Sequence, residues 1–332
     1  TKLFYVEVQK PNIKTPSGDC ERLKNALLKQ WKIRNVKINL SIMQSIQFKL
    51  REAEWKLTCA IFHNKNTKSN EIIEVWSGYF EGPVYGIALD LGSTTIAAHL
   101  CNLVDGAVIA ASGVMNPQIK FGEDLMSRVS YAMMNPSGTK SMSVAVRAGI
   151  DDLLTTVCNE ASILKELVME LVIVGNPIMH HILLGIDPTE LGQAPFTLAR
   201  AEAITIKSKY LDIHLNNNTQ TYILPCIAGH VGADAAAVTL SEAPEEAEDT
   251  VLIIDVGTNA EIILGNKHTL LACSSPTGPA FEGAQITFGQ RAAPGAIETV
   301  RIDPKSKAVK FKVIGSNLWS NQKEFKSSIE KI

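Results

Sequence analysis

The feature that most constrains this chain is a short glycine-centred pattern that occurs twice. Each copy is an apolar segment, then Asp-x-Gly-[Ser/Thr]-[Thr/Asn], then a second apolar segment. The copies occupy residues 85–98 and 251–265. Two apolar runs separated by Asp and Gly predict a β-hairpin with a tight polar turn, because both residues suit turn conformations. Two matching hairpins predict a duplicated domain.

The tips of such hairpins can bind an anion. Backbone N–H groups that converge in a tight turn favour a phosphate, and Ser, Thr or Asn side chains can add donors. Asp90 and Asp255 stand where each could hold a hydrated divalent cation beside the phosphates. The two hairpins are therefore expected to bind one nucleotide from both sides, although a single copy taken alone is more often only a turn.

Composition excludes several classes of function. The chain has 332 residues, 45% of them hydrophobic and 20% charged, which predicts a globular protein of more than one domain. Its net charge of −2 provides no basic field for nucleic acid or an anionic membrane. The sequence shows neither a run of about 20 apolar residues nor a signal peptide, so we expect a cytoplasmic protein without a membrane span.

The cysteines do not suggest a metal site. They are scattered, and no two of them form a CxxC motif: Cys20, Cys59, Cys101, Cys158, Cys226 and Cys273. This spacing fits neither an iron–sulfur cluster nor a zinc site. Reduced, buried thiols are therefore expected, and redox chemistry by this chain alone is not.

The first 83 residues are expected to form a small α+β domain that carries no catalytic constellation. Residues 3–9 alternate as a strand does, and a helical pattern begins at Asp19. Residues 35–63 are interpreted as one or two strands around a polar turn. The domain is expected to end at Pro83, because Gly-Pro marks a break in regular structure.

Two further units are expected after this domain. The first spans residues 84–249 and contains the first hairpin, and the second spans residues 250–332 and begins with the second hairpin. Within the first unit, residues 141–163 predict a long amphipathic helix and residues 171–174 a buried strand. The second unit is much shorter than the first, so we expect an incomplete second half and infer that the chain is a fragment.

The twin hairpins, set in two βββαβα-like halves, resemble the phosphate-binding signatures of the actin-like (ribonuclease H-like) ATPase superfamily. Other segments are similar to one branch of it, the reductive activators of corrinoid proteins. These segments are residues 116–128, 174–185, 225–235 and 278–284. Residues 1–83 resemble the middle domain of that branch. The resemblance therefore covers essentially the whole chain and implies an α/β ATPase fold after the small domain.

This resemblance implies an activity. Such activators return a Co(II) corrinoid, bound in a methyl-transfer protein, to Co(I), and ATP with Mg²⁺ drives the uphill reduction. In the family, electrons pass through a 2Fe-2S cluster in an N-terminal ferredoxin-like domain. The chain departs from that pattern because it lacks the cysteine-rich domain, and the family's adenosine-contacting loop is expected beyond residue 332. Electron transfer is therefore not expected from this chain alone.

The resemblance also implies roles for individual residues. Hairpin residues would wrap the β- and γ-phosphates: Gly92, Ser93, Thr94, Thr95, Gly257, Thr258 and Asn259. Asp90 and Asp255 would orient water and Mg²⁺, since positioned donors and the metal stabilise a transferring phosphoryl group. Gln118 or Glu123 would position the attacking water.

Other candidates keep two interpretations each. Asp234 follows a glycine turn and is either a helix N-cap or a residue of the Mg²⁺ site. His180 and His181 are adjacent on a helix and point about 100° apart, so a structural or partner-contact role is favoured over a shared metal. A glycine-rich segment either lines the nucleotide cleft or forms a plain turn. Its candidate residues are Gly278, Glu282 and Gly283.

Two other functions share this fold and stay open at this point. A small-molecule kinase would transfer phosphate to an acceptor, although no acceptor-site motif is evident. A nucleotide-gated binding module would open a partner protein without chemistry. Stimulation by a corrinoid protein, phosphorylation of a small acceptor, or neither, separates the three functions. A homodimer is also considered, because two-fold association is common among soluble proteins.

Overall fold

The computed structural model describes residues 1–64, 67–257, 259–276 and 294–326. The chain divides into two compact units, residues 1–243 and residues 244–332. The three-way division expected from the sequence stays a prediction.

The first unit begins with a four-stranded sheet. Its strands are β1 (Lys2–Glu7), β2 (Val36–Ile38), β3 (Lys56–Asn64) and β4 (Ser69–Ser77). They lie in the order β1-β3-β4-β2, with β2 parallel to β4 and the other pairs antiparallel. Two helices, α1 (Asp19–Trp31) and α2 (Leu40–Glu52), share one buried apolar cluster with this sheet. This part of the chain is α+β, as the sequence predicts.

Helix α2 corrects the interpretation of residues 35–63 as strands around a polar turn. Ile42, Ile46 and Leu50 are buried and recur every four residues, which is a helical spacing. The β-branched isoleucines have a weaker helix propensity than leucine or alanine, and this preference misled the sequence interpretation. Packing of the apolar stripe against the sheet outweighs that preference.

The first unit also contains a six-stranded mixed sheet. Its strands are β5 (Tyr85–Leu91), β6 (Thr95–Asn102), β7 (Val108–Met115), β8 (Val168–Gly175), β9 (Ile204–Lys207) and β10 (Gln220–Ile223). They lie in the order β7-β6-β5-β8-β10-β9. The neighbours β5, β8 and β10 are parallel, whereas β7, β6 and β5 form an antiparallel meander. This is the βββαβα-like arrangement expected from the sequence.

Four helices accompany this sheet: α3 (Leu125–Met134), α4 (Gly138–Glu160), α5 (Pro177–Leu184) and α6 (Ala233–Glu242). Helix α4, predicted at residues 141–163, buries Val146, Ile150 and Leu154 in one cluster with alternate residues of β5. Burial of one such side chain contributes about 1.5–3 kcal/mol. The core therefore lies between the sheet and α4, and it fixes the strand ends that carry the candidate site.

Buried contacts join the two sheets of the first unit. Asn218 Nδ2 donates to the Ile73 carbonyl oxygen at 3.0 Å, and Asn216 Nδ2 donates to Glu74 Oε2 at 2.9 Å. Apolar side chains from both sheets form a small cluster beside these bonds: Ala60, Ile73, Val84 and Met169. The small α+β part is therefore packed on the larger sheet.

The second unit contains two antiparallel sheets within the described residues. The first has β11 (Val251–Val256), β12 (Asn259–Asn266) and β13 (Thr269–Pro276) in sequential order. The second pairs β14 (Ile297–Ile302) with β15 (Val309–Val313). Strands β11 and β12 form the second hairpin predicted from the sequence. Among the described helices of the chain, none combines the length and apolarity that crossing a bilayer requires.

Asp151 on α4 holds a neighbouring loop, and replacing it with asparagine is expected to destabilise the first unit. Its carboxylate accepts from the His214 backbone N–H at 2.7 Å, from His214 Nδ1 at 3.0 Å and from Lys165 Nζ at 3.1 Å. Burial opposes ionisation, but these hydrogen bonds outweigh it and hold the pKa of Asp151 below its ordinary value. After allowing for solvent screening, we expect a loss of about 1 kcal/mol at pH 7.

Urea unfolding of Asp151→Asn at several pH values measures this effect. Because the folded-state pKa is lowered, the stabilisation is present above the unfolded pKa and is lost as the pH falls through the folded one. The gap between wild type and variant should therefore narrow below about pH 4, near the ordinary pKa of Asp. The adjacent exposed Asp152→Asn is the matched control. Equal unfolding midpoints for the two variants at pH 7 would contradict the prediction.

Candidate functional site

The carboxyl ends of the parallel strands β5, β8 and β10 meet at one edge of the six-stranded sheet. Leu91 at the end of β5 pairs with Gly175 at the end of β8. A Cβ atom on Gly175 would lie 2.8 Å from the Leu91 carbonyl oxygen, and one on Gly232 would lie 2.6 Å from the Asn176 Cα. Open α/β sheets bind ligands at this edge. The close approach brings the first hairpin and the start of α6 to it together.

The predicted phosphate-binding turn joins β5 to β6 at this edge. A Cβ atom on Gly92 would lie 2.5 Å from the Thr95 carbonyl oxygen, so the turn leaves no room for a side chain there. Ser93 is buried, Thr94 is half-buried and Thr95 is exposed. The Asp90 side chain is exposed, whereas the residues on either side of it in β5 are buried. The first group of predicted site residues is therefore contiguous in the structure.

Three consecutive carbonyl groups of this turn accept hydrogen bonds from a neighbouring segment. Asn116 Nδ2 donates to the Gly92 oxygen at 2.8 Å, and the Asn116 backbone N–H donates to the Thr94 oxygen at 2.7 Å. Arg128 Nη2 donates to the Ser93 oxygen between them. Both donor side chains are fully buried. Two buried residues, Asn116 and Arg128, thus hydrogen-bond to three carbonyl groups of the turn.

Local caps fix the segment that supplies these donors. Asn116 Oδ1 accepts from the Gln118 N–H at 2.9 Å and caps a short 3-10 helix, Pro117–Phe121. Asp124 accepts from the Ser127 N–H at 2.7 Å and caps α3. Side-chain caps of this kind satisfy the first N–H groups of a helix. They therefore set the asparagine, and the arginine in the first turns of α3, beneath the hairpin turn.

The Arg128 guanidinium has exchanged water for protein partners. Its Nε donates to the Gly122 oxygen at 3.0 Å, and its Nη1 lies 3.4 Å from Gln118 Oε1 and 3.1 Å from Met179 Sδ. Burial lowers the pKa of Arg128 to about 10, and the nearby Asp124 opposes this shift. The side chain is therefore a cation at neutral pH. Burying a charge costs desolvation free energy, and these hydrogen-bond partners offset that cost. The fold therefore holds a positive charge beneath the hairpin turn.

The structure separates the two candidates for positioning the attacking water. Gln118 is fully buried; its Nε2 donates to the Met142 oxygen at 3.0 Å, and its Oε1 accepts from Arg128. Both ends of this amide are bonded inside the fold, so its placement favours a structural role, and the catalytic role of Gln118 stays a prediction. Glu123 is exposed just before α3 and stays a candidate.

Asp234 lies in the first turn of α6 at the same sheet edge. The N-cap of α6 is Gly232, so the alternative of Asp234 as the N-cap is wrong. Its Oδ1 accepts from the Ala235 N–H at 2.8 Å, and an acidic group is favoured at this end of a helix. Burial raises the pKa of the nearby Cys226 thiol to about 11, and the charge of Asp234 adds to the rise. The carboxylate stays a candidate for the Mg²⁺ site.

His180 and His181 are buried on α5. His181 Nδ1 lies 2.9 Å from the Pro177 oxygen, and its Nε2 accepts from the Ala199 N–H at 2.9 Å. Because a carbonyl only accepts, the proton of His181 is on Nδ1 and the ring is neutral. Burial lowers the pKa of both rings, that of His180 to about 4. Burial and these bonds favour the structural role, one of the two that the sequence favours over a shared metal.

The second hairpin belongs to the second compact unit. Asp255 in β11 is half-buried and pairs in register with Glu261 of β12, which accepts from Ser274 Oγ at 3.1 Å. The Gly257 N–H donates to the Asn259 oxygen at 2.8 Å and closes the turn. The other predicted site residues of this unit lie outside the described residues: Thr258, Gly278, Glu282 and Gly283.

The cysteines do not fit an iron–sulfur cluster held by this chain. All six are free thiols; five lie in different helices or strands, and Cys226 lies in the segment after β10. Burial raises the pKa of five of them and so favours the protonated thiol in the metal-free protein: Cys20, Cys59, Cys101, Cys158 and Cys226. Within the described residues, no three His, Cys, Asp or Glu side chains come together as a metal site.

Three family models match successive parts of the chain. The RACo linker region matches residues 1–82, the RACo middle region matches residues 85–244, and the C-terminal domain of RACo, the ASKHA domain, matches residues 249–324. The chain belongs to the RACo family. The models call residues 1–82 the linker, where the sequence analysis expected the middle domain. The actin-like fold predicted from the twin hairpins is confirmed.

The relatives of this RACo family member are named for the activation or reduction of corrinoid proteins. The corrinoid activation enzyme RamQ of Eubacterium limosum is 35% identical over 74% of this chain and 41% of its own length. The [Co(II) methylated amine-specific corrinoid protein] reductase of Methanosarcina barkeri is 26% identical over 66% of this chain and 41% of its own. A solved reductive activator for corrinoid,iron-sulfur protein superposes with a TM-score of 0.84 at 32% identity, covering 95% of this chain and 50% of that structure. The chain thus spans about half or less of these relatives.

Sequence reasoning assigned no role to Asn116 or Arg128 of this RACo family member. Both residues stand in the segment 116–128, which was noted only because it resembles the family. Its pairing of Asn-Pro-Gln with a later Ser-Arg was the available signal. The signal could not show that the two side chains reach the backbone of the hairpin turn.

Proposed function

We propose that this chain forms the nucleotide-binding and partner-binding part of an ATP-dependent activator that returns a corrinoid protein from Co(II) to Co(I). The observation that carries the proposal is the hairpin turn from Gly92 to Thr95 at the carboxyl edge of the parallel strands. It occurs in a family whose relatives are named for activating or reducing corrinoid proteins. The turn carries backbone N–H and hydroxyl groups that suit a phosphate, and the names of the relatives point to the partner.

The residues at this edge have two roles: some bind the phosphates, and others bind Mg²⁺. Backbone N–H and hydroxyl groups of Ser93, Thr94 and Thr95 donate to phosphate oxygens. The carboxylates of Asp90 and Asp234 offer the oxygen ligands that Mg²⁺ prefers, and this ion uses one or two carboxylates together with phosphates and water. Bound Mg²⁺ supplies charge neutralisation for the phosphates.

The second hairpin carries the same residue types and is assigned the same chemistry. Asp255 stands two residues before Gly257, as Asp90 stands two residues before Gly92. Asn259 provides an amide where the first hairpin provides threonine hydroxyls. Glu123 is assigned to the attacking water, because its carboxylate is exposed beside the segment that contacts the first turn.

An uphill reduction requires that the free energy of ATP binding or hydrolysis be coupled to the state of the corrinoid protein. ATP shifts an equilibrium of the complex only by as much as its affinity differs between the two states. Nucleotide hydrolysis is therefore expected to respond to the oxidation state of the corrinoid protein. Electron transfer is not assigned to this chain, because its cysteines do not fit a cluster.

Asp90→Asn is expected to weaken Mg²⁺-dependent ATP binding roughly tenfold, because the variant loses one charge from the metal site, a change of about 1.4 kcal/mol. Calorimetric titration of the purified chain with ATP measures the dissociation constant in Mg²⁺ and in EDTA. The difference between wild type and variant should disappear in EDTA. Asp152→Asn, an exposed aspartate on α4, is the matched control and should bind as wild type.

Partner specificity is tested by the rate of ATP hydrolysis with a corrinoid protein poised as Co(II) or as methyl-Co(III). We expect stimulation by the Co(II) form alone, and its loss in Asp90→Asn. Equal rates with both forms would contradict the activator function. Binding of ATP that is insensitive to both Mg²⁺ and Asp90→Asn would instead contradict the assignment of the site.

A further inference from the structure

We propose that Asn116 and Arg128 are positioning residues that fix the phosphate-facing side of the first hairpin turn. The inference rests on the proposed nucleotide function and names residues that act through the backbone of the turn. Its basis is one observation: the carbonyl groups of Gly92, Ser93 and Thr94 all accept hydrogen bonds from these two residues.

The geometry of the peptide group links the direction of each carbonyl to that of the N–H group that follows it. A trans peptide is planar, and its N–H and C=O point in opposite directions. When the oxygens of residues 92, 93 and 94 are held on one side, the N–H groups of Ser93, Thr94 and Thr95 are directed to the other. Those are the N–H groups assigned to phosphate. The Asn116 and Arg128 side chains therefore set the direction of the first two N–H groups, and the backbone N–H of Asn116 sets that of the third.

The three carbonyl groups accept from buried groups, although the turn itself reaches the surface. Ser93 is buried, Thr94 is half-buried and Thr95 is exposed. The donors are two fully buried side chains, one of them a cation, and the backbone N–H of Asn116. Protein donors hold a carbonyl in one direction, whereas water does not. Preorganised donors that need no reorganisation when charge arrives are the basis of strong anion sites.

The charge of Arg128 adds a second effect. The guanidinium lies directly behind the Ser93 peptide and remains protonated at neutral pH. In a buried environment a cation acts over a longer range than at the surface, because water screens it less. Arg128 thus favours an anion on the far side of the turn while also orienting the donors. Asn116 contributes orientation alone.

Two variants separate these effects. Asn116→Asp keeps the acceptor for Gln118 but faces the Gly92 oxygen with a carboxylate, and Arg128→Met removes the charge while keeping an unbranched chain. Each should weaken binding of MgATP roughly tenfold by calorimetry. Arg128→Lys keeps the charge and should recover part of the affinity, which a loss of packing alone would not allow.

Matched controls make the same chemical changes elsewhere in the first unit. Asn135 Nδ2 donates to the Tyr131 oxygen at 2.9 Å beyond the end of α3, and Arg147 Nε donates to the Leu183 oxygen at 2.9 Å. Asn135→Asp and Arg147→Met should therefore bind MgATP within twofold of wild type. Circular dichroism and urea unfolding verify that each variant is folded before its affinity is compared.

Amide NMR shifts of Ser93, Thr94 and Thr95 on addition of MgATP locate the site directly. Shifts in wild type that shrink in Asn116→Asp support the positioning role. Folded Asn116→Asp and Arg128→Met that bind as wild type would overturn that role and leave the proposed function intact. A wild-type chain that binds no MgATP would overturn both. If Arg128→Met does not fold, the isosteric Asn116→Asp decides.

Discussion

Replacing Gly232 with alanine is expected to lower the unfolding temperature by about 4–12 °C, corresponding to about 2–3 kcal/mol of overpacking in a unit of this size. The added Cβ would lie 2.6 Å from the Asn176 Cα and 2.6 Å from the Gly175 carbonyl oxygen. Both are backbone atoms, so no side-chain rotation relieves the clash. The backbone at Gly232 has φ −89° and ψ −168°, which alanine also adopts, so the effect is steric.

Gly113→Ala is the control for this prediction. Its Cβ would lie 3.5 Å from the Ile96 oxygen, an ordinary contact on the strand β7. Thermal unfolding followed by circular dichroism compares the two variants with wild type. Equal melting temperatures for Gly232→Ala and Gly113→Ala would mean that the strand ends separate easily. In that case the sheet edge would not hold the hairpin and α6 in the close arrangement described.

The fold could be predicted where the sequence pattern is local and unambiguous. Alternation of buried residues in β5, and the spacing of Val146, Ile150 and Leu154 in α4, gave the right element types. Helix α2 was missed because its isoleucines suit strands, and only the packing of its apolar stripe on the sheet selects the helix. Propensity and tertiary packing conflict there, and packing decides.

The candidate site could be predicted only in part, namely where its residues are close together in sequence. Asp90 and Gly92 lie within one hairpin, so their spacing alone indicates a turn with a carboxylate beside it. Asn116 and Arg128 act on that turn from 24 and 35 residues away in sequence. Their acceptors are backbone carbonyls, which carry no residue signature. Gln118 illustrates the converse, because a polar residue in a motif proved to be buried and bonded within the fold.

His180 is expected to reduce the stability of the protein in mild acid, by roughly 2 kcal/mol at pH 5. Burial and the neighbouring His181 lower its pKa to about 4. In the unfolded chain a histidine binds its proton near pH 6.5. Between these values the unfolded state binds more protons, so stability is complete above pH 6.5 and falls as the pH decreases toward 4. His181 adds to the same trend, because burial lowers its pKa as well.

His180→Leu tests this cause by removing the titrating group. His180 lines a small apolar cavity together with Leu91, Ile173 and Leu183, so leucine suits this position. Urea unfolding at pH 7 and pH 5 should show a smaller loss of stability in the variant than in wild type. His63→Gln, at an exposed position of β3, should keep the wild-type loss. An undiminished loss in His180→Leu would place the acid sensitivity elsewhere. A diminished loss identifies the buried imidazole on α5, which must stay neutral for the helix to pack at the end of β8.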